Sequence, residues 1–427
     1  MHDLTAEGAV SPWKRRGFEL LWSAQTISEF GTQVTAVALP LTAIVVLHAG
    51  VAEMVVLSLA IRGPFVLSLL AGATVDRTRR RPVMIVADVG RALLIALVPL
   101  TYALGVLRLE IVYLVALATA ILTVWFDVAY QSYLPSLVER DRLMASNSKI
   151  ETTRSAALIL GPGLGGLLVQ LLRAPVALVV DAVSYAASAA FVLSIRSEEP
   201  APAASAPLRS IFAEIVSGVR YVAGHPVLRV LLLGAMLALL AQGIQLTVLV
   251  LYLSTVLHLA PVVIGLVLAA AGPGALVGAT VAPIVTRRLG LGPALAATLA
   301  LYTASLVVVP LARDGSLGWI VLLMASQAGM AISYMLFAIT VASLRQAIVP
   351  APLLGRATGT ARFLAFGAQP IGALLAGSLA GTVGVRGLLF AAAVIALLAP
   401  LAVLVSRVRG VRTFADAQSM SPLDASA

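Results

Sequence analysis

The chain has 427 residues, of which 60% are hydrophobic and 11% are charged, and its formal net charge is +10. An ordinary soluble domain has about a quarter of its residues charged, so this composition excludes a typical water-soluble protein. The basic residues lie in short loops between apolar stretches and form no continuous basic face, which argues against a nucleic-acid-binding protein. Because the chain contains no cysteine, disulfides and thiolate metal sites are excluded, and the sequence indicates no cofactor or metal site.

Apolar stretches of roughly 20 residues, long enough to cross a bilayer, recur along the chain. They are continuously apolar and do not alternate, so they predict helices and not the strands of a barrel. Twelve spans are predicted, at roughly 18–45, 52–75, 83–106, 111–136, 143–170, 174–195, 227–257, 261–286, 291–312, 317–349, 353–381 and 384–406. The first is too long for a signal-peptide core and lacks a small-residue cleavage site, so it is expected to remain as helix 1.

Positive charge is concentrated in alternate loops. The basic residues of these loops and of the tail are Lys14, Arg15, Arg16, Arg77, Arg79, Arg80, Arg81, Arg140, Arg142, Arg196, Arg209, Arg220, Arg287, Arg288, Arg356, Arg407, Arg409 and Arg412. The intervening loops hold only Arg108, Arg173, Arg313 and Arg386. By the positive-inside rule the first set is cytoplasmic, which predicts two cytoplasmic termini and an even number of helices.

The longest break between spans is the segment Arg196–Ser210, whose Pro, Ala and Ser content predicts a flexible link. Apolar residues at helical spacing follow it and predict a short helix on the cytoplasmic surface. The predicted organisation is therefore an N-terminal six-helix half, a linker, a C-terminal six-helix half and a cytoplasmic tail. Their boundaries are 1–195, 196–226, 227–406 and 407–427.

The two predicted halves share sequence features at a nearly constant offset of 208 or 209 residues. Gly63 and Pro64 recur as Gly272 and Pro273, Thr152 and Arg154 as Thr360 and Arg362, and Pro162 as Pro370. Three matches at nearly one offset indicate a parallel repeat. Such repeats place a substrate site between the halves, near the middle of the membrane.

The stretch GPGLGG, Gly161–Gly166, raises the question of a phosphate-binding loop. A P-loop requires a lysine after its last glycine, and neither lysine of the chain follows a glycine. Both flanks are apolar helix of membrane length, so the glycines indicate close helix packing and Pro162 a kink. The predicted packing hinge consists of Gly161, Pro162, Gly165 and Gly166.

The loop GATVDRTRRRP, Gly72–Pro82, connects predicted helices 2 and 3. Its spacing places an acid and several guanidinium groups at a membrane boundary, where they can bond to neighbouring helix ends and hold one conformation closed. The predicted latch residues are Gly72, Asp76, Arg77, Arg80, Arg81 and Asp127. The alternative is that the arginines only set the topology, although topology does not require Asp76.

The loop GATVDRTRRR resembles the signature loop of the major facilitator superfamily, and TRRLGLGP at Thr286–Pro293 resembles its degenerate second copy. GPGLGG resembles the core of the helix-5 signature of drug–proton antiporters. LLWSAQTIS, DVAYQSYLPSLVERDRL and DAVSYAASAAFVL are similar to segments of the macrolide-efflux and siderophore-export branch. The sequence departs from these patterns at Ser148 and Ala157, where the signature has glycines, in lacking a helix-4 arginine, and at Thr32, where an acid is usual.

The resemblance implies an all-α polytopic membrane protein with the major facilitator fold and 12 helices in two six-helix halves. It further implies a plasma-membrane secondary transporter that exports a small amphiphilic molecule by proton antiport, with the lipid bilayer around it and a monomeric state. The alternatives are an importer or a siderophore or metabolite carrier of the same fold, and, more remotely, a non-transporting receptor. An enzyme is not expected, because the four histidines fall in tails and loops and form no catalytic cluster.

Ionisable residues inside membrane spans cost about 2.5–3.5 kcal/mol each near the helix centre, so each requires a reason. Glu29 lies near the middle of helix 1, which lines the cavity in proteins of this fold. We expect it to bind a proton or a cationic substrate in turn, with a fixed ion pair to Arg62 or Arg154 as the alternative. Asp127 is expected to form a latch with Arg77 or Arg80, with a second proton site as the alternative.

Asp88 and Arg91 are three residues apart and predict a local ion pair on one helix face. Asp181 either seals the outward side or has a hydrogen-bonded packing role. Arg154 and Arg362 are expected to bind an anionic group, to form an ion pair with Glu29, or to stabilise the interfaces of the half-repeats. The candidate cavity walls are Trp22, Gln25, Phe30, Gln33, Trp125, Tyr130, Gln242, Gln245 and Tyr334, for which lipid contact or helix packing is the alternative.

Overall fold

The computed structural model describes residues 12–75, 77–139, 142–196 and 219–420, and all regular secondary structure in these ranges is helical. Asp76 of the predicted latch lies outside the described residues. So do the predicted link after Arg196 and most of the predicted surface helix. We refer to residues 12–196 as the N half and to residues 219–420 as the C half.

The N half is built from successive apolar helices joined by short turns. Its helices are α1 Pro12–Leu41, α2 Val51–Arg62, α3 Ser68–Val75, α4 Arg80–Ala103, α5 Leu109–Leu137, α6 Leu143–Leu172 and α7 Ala174–Leu193. A π-helical turn, Thr42–Val46, extends α1, and a 3-10 helix, Gly63–Leu67, joins α2 to α3. The buried Pro64 has no N–H to donate at this point, which is consistent with the change from α to 3-10 geometry.

The C half repeats this pattern. Its helices are α8 Pro226–Leu251, α9 Pro261–Ala269, α10 Ala271–Leu289, α11 Leu291–Leu311, α12 Leu317–Ile348, α13 Ala351–Val405 and α14 Phe414–Gln418. A π-helical turn, Tyr252–Val256, extends α8 as Thr42–Val46 extends α1. Gly384 interrupts α13 with a φ of 64° and a ψ of 178°, a left-handed conformation that favours glycine.

Ten helices of the described residues are long and apolar enough to cross a membrane. The difference from the twelve predicted spans has two causes. The predicted span 52–75 is broken by the 3-10 helix into two pieces that are each too short, and the last two spans are counted as one helix across Gly384. Large apolar side chains on outer faces remain exposed, including Val86 at 67% and Leu171 at 70%, which suits contact with lipid and not with water.

Contacts between helix termini define the two ends of the bundle. At one end, Gly17 faces Leu137 and Ile195, and Arg81 Nε donates to the carbonyl oxygen of Val192 at 3.0 Å. We call this the basic end, because the arginine-rich loops lie there. At the opposite end, the backbone N–H of Val262 donates to Gln170 Oε1 at 3.4 Å, which joins the two halves.

The buried apolar side chains show that the halves meet at the opposite end and separate toward the basic end. One cluster contains buried residues of both halves, among them Val37, Leu178, Val248 and Leu389. The further clusters of buried side chains each belong to a single half, and two of them are large. The first includes Leu21, Phe126 and Tyr133, and the second includes Leu228, Leu344 and Val403.

Candidate functional site

The two halves approach each other most closely where α6 crosses α9. A Cβ atom built on Gly166 would overlap the carbonyl oxygen of Pro261 and would lie 3.0 Å from the Cα of Gly265. A Cβ on Gly265 would in turn lie 3.0 Å from the Cα of Gly166. Only glycine at both positions allows the two backbones to come this close, as small residues do in packed membrane helices.

The other glycines of GPGLGG face helix α1 of the same half. A Cβ on Gly161 would overlap the side chain of Gln33, and one on Gly165 would lie 3.1 Å from the Cα of Val34. Gly163 differs, since the nearest atom to a Cβ there is the end of the Leu266 side chain at 3.8 Å. Helix α6 therefore contacts α1 on one face and α9 on another, and joins a neighbour in its own half to one across the interface.

A second crossing joins α2 to α8 and α13. Thr247 Oγ1 donates to Ser58 Oγ at 3.1 Å, and both side chains are buried. The rings of Phe65 and Phe366 meet with their centroids 5.3 Å apart. Together with the α6 and α9 crossing, these contacts close the bundle at its opposite end.

A cavity of about 370 Å³ lies among α8, α11, α12 and α13. All of its lining residues lie between Val222 and Phe366 in sequence, so its walls belong to the C half. The aromatic and charged lining residues are Tyr302, Tyr334, Phe337, Phe366, Arg345 and Arg362. The remaining walls are mostly aliphatic, which gives the apolar enclosure with a few polar groups that is typical of small-molecule sites.

Three of the residues singled out from the sequence, Gln242, Tyr334 and Arg362, line this cavity. Arg345 lines it too and was not predicted. A signal for it exists: Tyr334, Ala338, Val341 and Arg345 are spaced by four, three and four residues and all line the cavity. This spacing places them on one helix face, so the face could have been extended from Tyr334.

The N half carries a separate group of charged side chains. Arg154 Nε lies 3.9 Å from Glu29 Oε1, and Arg154 Nη1 lies 3.9 Å from Glu151 Oε1. Gln25 Nε2 donates to Glu29 Oε1 at 3.4 Å. The side chain of Arg154 is 58% exposed and that of Glu29 is 20% exposed, so this is a loose ion pair and not a buried lock.

The predicted latch between Asp127 and Arg77 or Arg80 is not formed among the ion pairs of the described residues. Asp127 is exposed, and the cationic groups that act on its carboxylate are Arg91 and Arg154. The side of α5 that faces the loop carries Trp125, which donates to Thr74 Oγ1 and shares a cavity with Thr78 and Arg79, and Asp127, two residues later, lies on a different face of the helix.

The contacts that the other latch residues make with described residues lie within the N half. Arg77 is exposed, Arg80 is half-buried, and a Cβ on Gly72 would meet open space. Arg81 donates to the carbonyl oxygens of Val192 and Leu193, at 3.0 and 2.5 Å, and so joins the loop to the end of α7. These contacts support the expected bonding to a neighbouring helix end, but the bond does not cross between the halves.

Two further candidate cavity walls, Gln245 and Trp125, form the helix contacts that were the predicted alternative for them. Gln245 is 3% exposed and donates to Gln327 Oε1 at 3.2 Å, so it joins α8 to α12 inside the packing. Trp125 donates to Thr74 Oγ1 at 3.0 Å and lines a separate cavity of about 390 Å³ between α4 and α5. Amide and indole groups satisfy their polar atoms locally in apolar surroundings, which draws them into helix contacts.

The remaining N-half candidates lie on α1 and α5. Trp22 Nε1 donates to Thr153 Oγ1 at 3.0 Å, and the ammonium group of Lys149 lies 3.6 Å from the centroid of the Trp22 ring. Gln33 fills the space that Gly161 leaves, and Phe30 is half-buried. Tyr130 is 8% exposed, and its hydroxyl has no hydrogen-bond partner among the described residues.

The predicted local pair between Asp88 and Arg91 is confirmed and is buried. Ser188 Oγ donates to the second carboxylate oxygen of Asp88 at 2.7 Å. The Arg91 guanidinium lies between the rings of Phe126 and Tyr185, with its carbon 4.2 and 4.3 Å from their centroids. The pair therefore joins α4, α5 and α7 into one unit.

Asp181 has the hydrogen-bonded packing role that was one of its two predicted alternatives. Its carboxylate accepts from Thr35 Oγ1 on α1 and from Ser184 Oγ on its own helix, the latter at 2.9 Å. Thr32 and Tyr185 share a further hydrogen bond of 2.9 Å between α1 and α7. The N half is thus held together by buried polar side chains as well as by apolar packing.

Comparison with known proteins is consistent with this architecture. The transmembrane secretion effector model of the major facilitator superfamily matches residues 7–425. The multidrug efflux pump Tap of Mycolicibacterium fortuitum is 30% identical over 415 residues, which cover 93% of this chain and 97% of that protein. Tap of Mycobacterium tuberculosis H37Rv is 30% identical over 354 residues, 76% of this chain and 78% of that protein.

Solved structures support the fold at much lower identity. A bacterial homologue of the iron transporter ferroportin, in an inward-facing state, superposes with a TM-score of 0.71 at 18% identity, covering 91% of this chain and 98% of its own. The nucleoside transporter NupG gives a TM-score of 0.72 at 12% identity, covering 92% and 98%. The family match over nearly the whole chain and the ten apolar helices lead to one conclusion: this chain belongs to the transmembrane secretion effector family of the major facilitator superfamily, and it is a multi-pass protein of the plasma membrane.

Proposed function

We propose that this protein is a secondary active transporter that exports small amphiphilic molecules from the cytoplasm by proton antiport. The observation that carries the proposal is the apolar cavity of about 370 Å³, which lies on the side of the bundle where the cores of the two halves are separate. A cavity with that location receives a ligand from the basic end while the opposite end is closed. The efflux-pump relatives support export as the direction of transport.

The proposed topology has twelve membrane passages and two cytoplasmic termini. The broken segment Val51–Val75 supplies one passage, and the parts of α13 before and after Gly384 supply two. Arginine-rich loops at the basic end support a cytoplasmic location for that end. The structure therefore corresponds to an inward-facing state in this proposal, and transport requires the crossing of α6 and α9 to open.

Glu29 is the proposed proton-coupling group, with Asp127 as a second candidate. The Glu29 carboxylate is close enough to Arg154 to exchange that partner for a proton, and its partial exposure leaves it accessible to water. Protonation would release Arg154, which also reaches Glu151. Such an exchange biases two conformations only if the pair is weaker in one of them, as any coupling requires.

The test is accumulation of dyes in proteoliposomes that contain the protein in inside-out orientation. A panel of cationic, neutral and anionic amphiphilic dyes is added outside vesicles with an acidic interior. At least one dye should accumulate above the level of protein-free vesicles, which corrects for passive trapping of weak bases. Nigericin with potassium should abolish the excess, and accumulation that survives complete collapse of the gradient would contradict proton antiport.

A further inference from the structure

Arg345 and Arg362 form a pair of positive charges on the wall of the C-half cavity. Arg362 lies 11 residues after the start of α13, which places it roughly 16 Å along the helix from the basic end. Arg345 lies near the end of α12, three residues before Ile348. Both line the cavity, and they are close enough for the charge of Arg362 to act on Arg345.

Neither arginine has a protein partner in the part of the chain that the structure describes. No hydrogen bond or ion pair from either guanidinium group to a described residue is present. The sequence explains this, since Asp314 is the only acidic residue between positions 226 and 405. Asp314 lies in the turn between α11 and α12 at the opposite end of the bundle, away from both arginines.

Comparison of matching positions in the two halves shows that the carboxylates beside the arginine are present in the N half and absent from the C half. Arg362 corresponds to Arg154, which has Glu151 three residues before it on the same helix and Glu29 on α1. At the same offset of 208 residues, Glu151 corresponds to Gly359. Helix α8, the counterpart of α1, carries no acidic residue. The arginine position is retained, and the acids that neutralise it are not.

Two guanidinium groups without carboxylate partners among the described residues line a largely apolar cavity, and because Arg362 is exposed and Arg345 half-buried, both are accessible to a ligand that enters it. An arginine at membrane depth is costly, and such residues mark substrate pathways. Guanidinium groups bind carboxylate, sulfonate and phosphate groups in fork geometry. The surrounding walls include Tyr302, Phe337 and Phe366, which suit the apolar body of the same ligand.

We propose that the cavity between Arg345 and Arg362 selects amphiphilic anions, that is, molecules with an aromatic or aliphatic body and a single carboxylate, sulfonate or phosphate group. The inference rests on the proposed transport function for its physiological meaning, and it names the substrate class. It assigns charge recognition to the C half. The N-half group around Glu29 is left to proton coupling.

The experiment compares two probes that share one skeleton and differ in charge. Anilinonaphthalene sulfonate is an anion, and phenylnaphthylamine is its neutral counterpart without the sulfonate. Binding of each to the purified full-length protein in lipid nanodiscs is measured by isothermal titration calorimetry, with empty nanodiscs subtracted. We expect the wild-type protein to bind the anion at least about tenfold more tightly than the neutral probe, because two charge-assisted hydrogen-bond donors are available to the sulfonate and none to the neutral probe.

Four variants separate charge recognition from loss of structure. Arg345→Gln and Arg362→Gln should each weaken binding of the anion about tenfold and leave the neutral probe within about twofold. Gly359→Glu places a carboxylate three residues before Arg362 without removing an arginine, and a Cβ at this position would meet open space. It should also weaken anion binding, whereas the isosteric Gly359→Gln should retain the preference.

The results distinguish this inference from the proposed function. Equal binding of both probes to the wild-type protein, or equal weakening of both probes in the arginine variants, would overturn the anion site. Loss of anion preference in Gly359→Gln as well as Gly359→Glu would also contradict it, because charge would then not be the cause. Gradient-driven transport of a cationic dye by a protein without anion preference would leave the proposed function intact, and anion binding without any transport would count against the proposed function alone.

Discussion

The two halves of the bundle share an arginine position and differ in the chemistry around it. In the N half, Arg154 lies beside Glu29 and Glu151, and a second arginine, Arg91, is buried against Asp88. In the C half, Arg362 has Arg345 as its charged neighbour in the cavity. A repeat that preserves helix packing has therefore acquired opposite electrostatic character on its two sides.

The difference extends to how each half is held together. Hydrogen bonds from Thr35 and Ser188 to buried carboxylates connect the N-half helices. The C half is held by apolar clusters, by amide pairs such as Gln245 with Gln327, and by hydrogen bonds of Tyr252 and Arg386 to the carbonyl oxygen of Ala312. Polar networks fix geometry strongly because each unsatisfied group is costly, while apolar packing tolerates rearrangement of its volume. We infer that the buried carboxylates fix the relative geometry of the N-half helices.

The largest expected effect is on the buried ion pair of the N half, which has no counterpart in α11. Arg91→Met leaves Asp88 buried without its cation and should destabilise the protein by about 3–5 kcal/mol. The measurement is thermal unfolding of the purified protein in detergent, with hydrogen exchange resolved by half. Protection should fall in the N half first, and the double variant Arg91→Met with Asp88→Asn should recover part of the loss. An unchanged melting temperature would contradict a structural role for this pair.

The second largest effect is expected from substitution at the crossing of α6 and α9 between the halves. Gly166→Leu places a side chain against the backbone of Pro261 and Gly265, and overpacking of this kind costs about 1–3 kcal/mol. Because the clash is with backbone across the interface, it should open the contact and reduce export while membrane insertion remains largely intact. Gly163→Leu on the same helix is the matched control, since its nearest neighbour is a flexible leucine end at 3.8 Å. Equal export by both variants would show that close approach at Gly166 is not required.

Substitution of Gly165 tests the packing of α6 on α1 within the N half, separately from the packing of Gly166 on α9 across the interface. Gly165→Leu meets the backbone of Val34 at 3.1 Å on α1 and so strains the N half itself. We expect reduced export, largely intact insertion and, unlike Gly166→Leu, a lower melting temperature of the N half. Export assays combined with immunoblots of membrane fractions provide the measurement. Export at the wild-type rate by Gly165→Leu would show that close packing of α6 on α1 is not required for transport.

The two carboxylates near Arg154 provide a smaller and more selective test. Glu29→Gln should lower gradient-driven dye accumulation about tenfold, equivalent to about 1.4 kcal/mol, while substrate exchange without a gradient continues. Glu151→Gln is matched because it removes the other partner of Arg154 at a side chain that is 68% exposed. It should stay near wild type. If dye accumulation by Glu29→Gln still depended strongly on the proton gradient, proton coupling would belong to another group, with Asp127 as the next candidate.

The smallest effect is expected at the C-terminal tail, which packs on the C half. The backbone N–H groups of Thr413 and Arg412 donate to Asp416 and hold the pKa of this carboxyl below its ordinary value. The ionised Asp416 carboxylate therefore stabilises the folded tail. This stabilisation is complete above the unfolded carboxyl pKa of about 3.9 and is lost as the pH falls through the lower pKa of the folded state. Asp416→Asn should accelerate amide exchange in 410–420 at neutral pH, and exchange at the wild-type rate would exclude a role for this cap.

Much of the fold follows from the chain alone. Apolar length, loop charge and the repeated GP and T-x-R features predicted a two-part helical membrane protein, because hydrocarbon solvent forces every backbone group into a helix. The pair of Asp88 and Arg91 was predicted because spacing of three residues on a helix fixes a side-chain neighbour. The break at Gly63–Leu67 and the left-handed Gly384 were not predicted, since both depend on how neighbouring helices constrain the backbone.

The candidate site was less accessible to sequence reasoning. Gln242 and Gln245 are three residues apart on one helix, yet the first lines the cavity and the second donates to Gln327 inside the packing. Asp127 was expected to pair with Arg77 or Arg80 of the loop, but the cations that act on it are Arg91 and Arg154. Such outcomes depend on which face a helix turns toward each neighbour, and periodicity alone does not fix that rotation in a helix that is apolar on all sides.

The sequence by itself determined the class of the protein, its solvent and its repeat, because these follow from composition and from distances along the chain. It also determined that the C half has almost no acidic residues. Only the tertiary structure decided that Arg345 and Arg362 share a cavity and that Gly166 meets Gly265 across the halves. Those pairings join residues distant in sequence, and they are set by helix packing that no local pattern encodes.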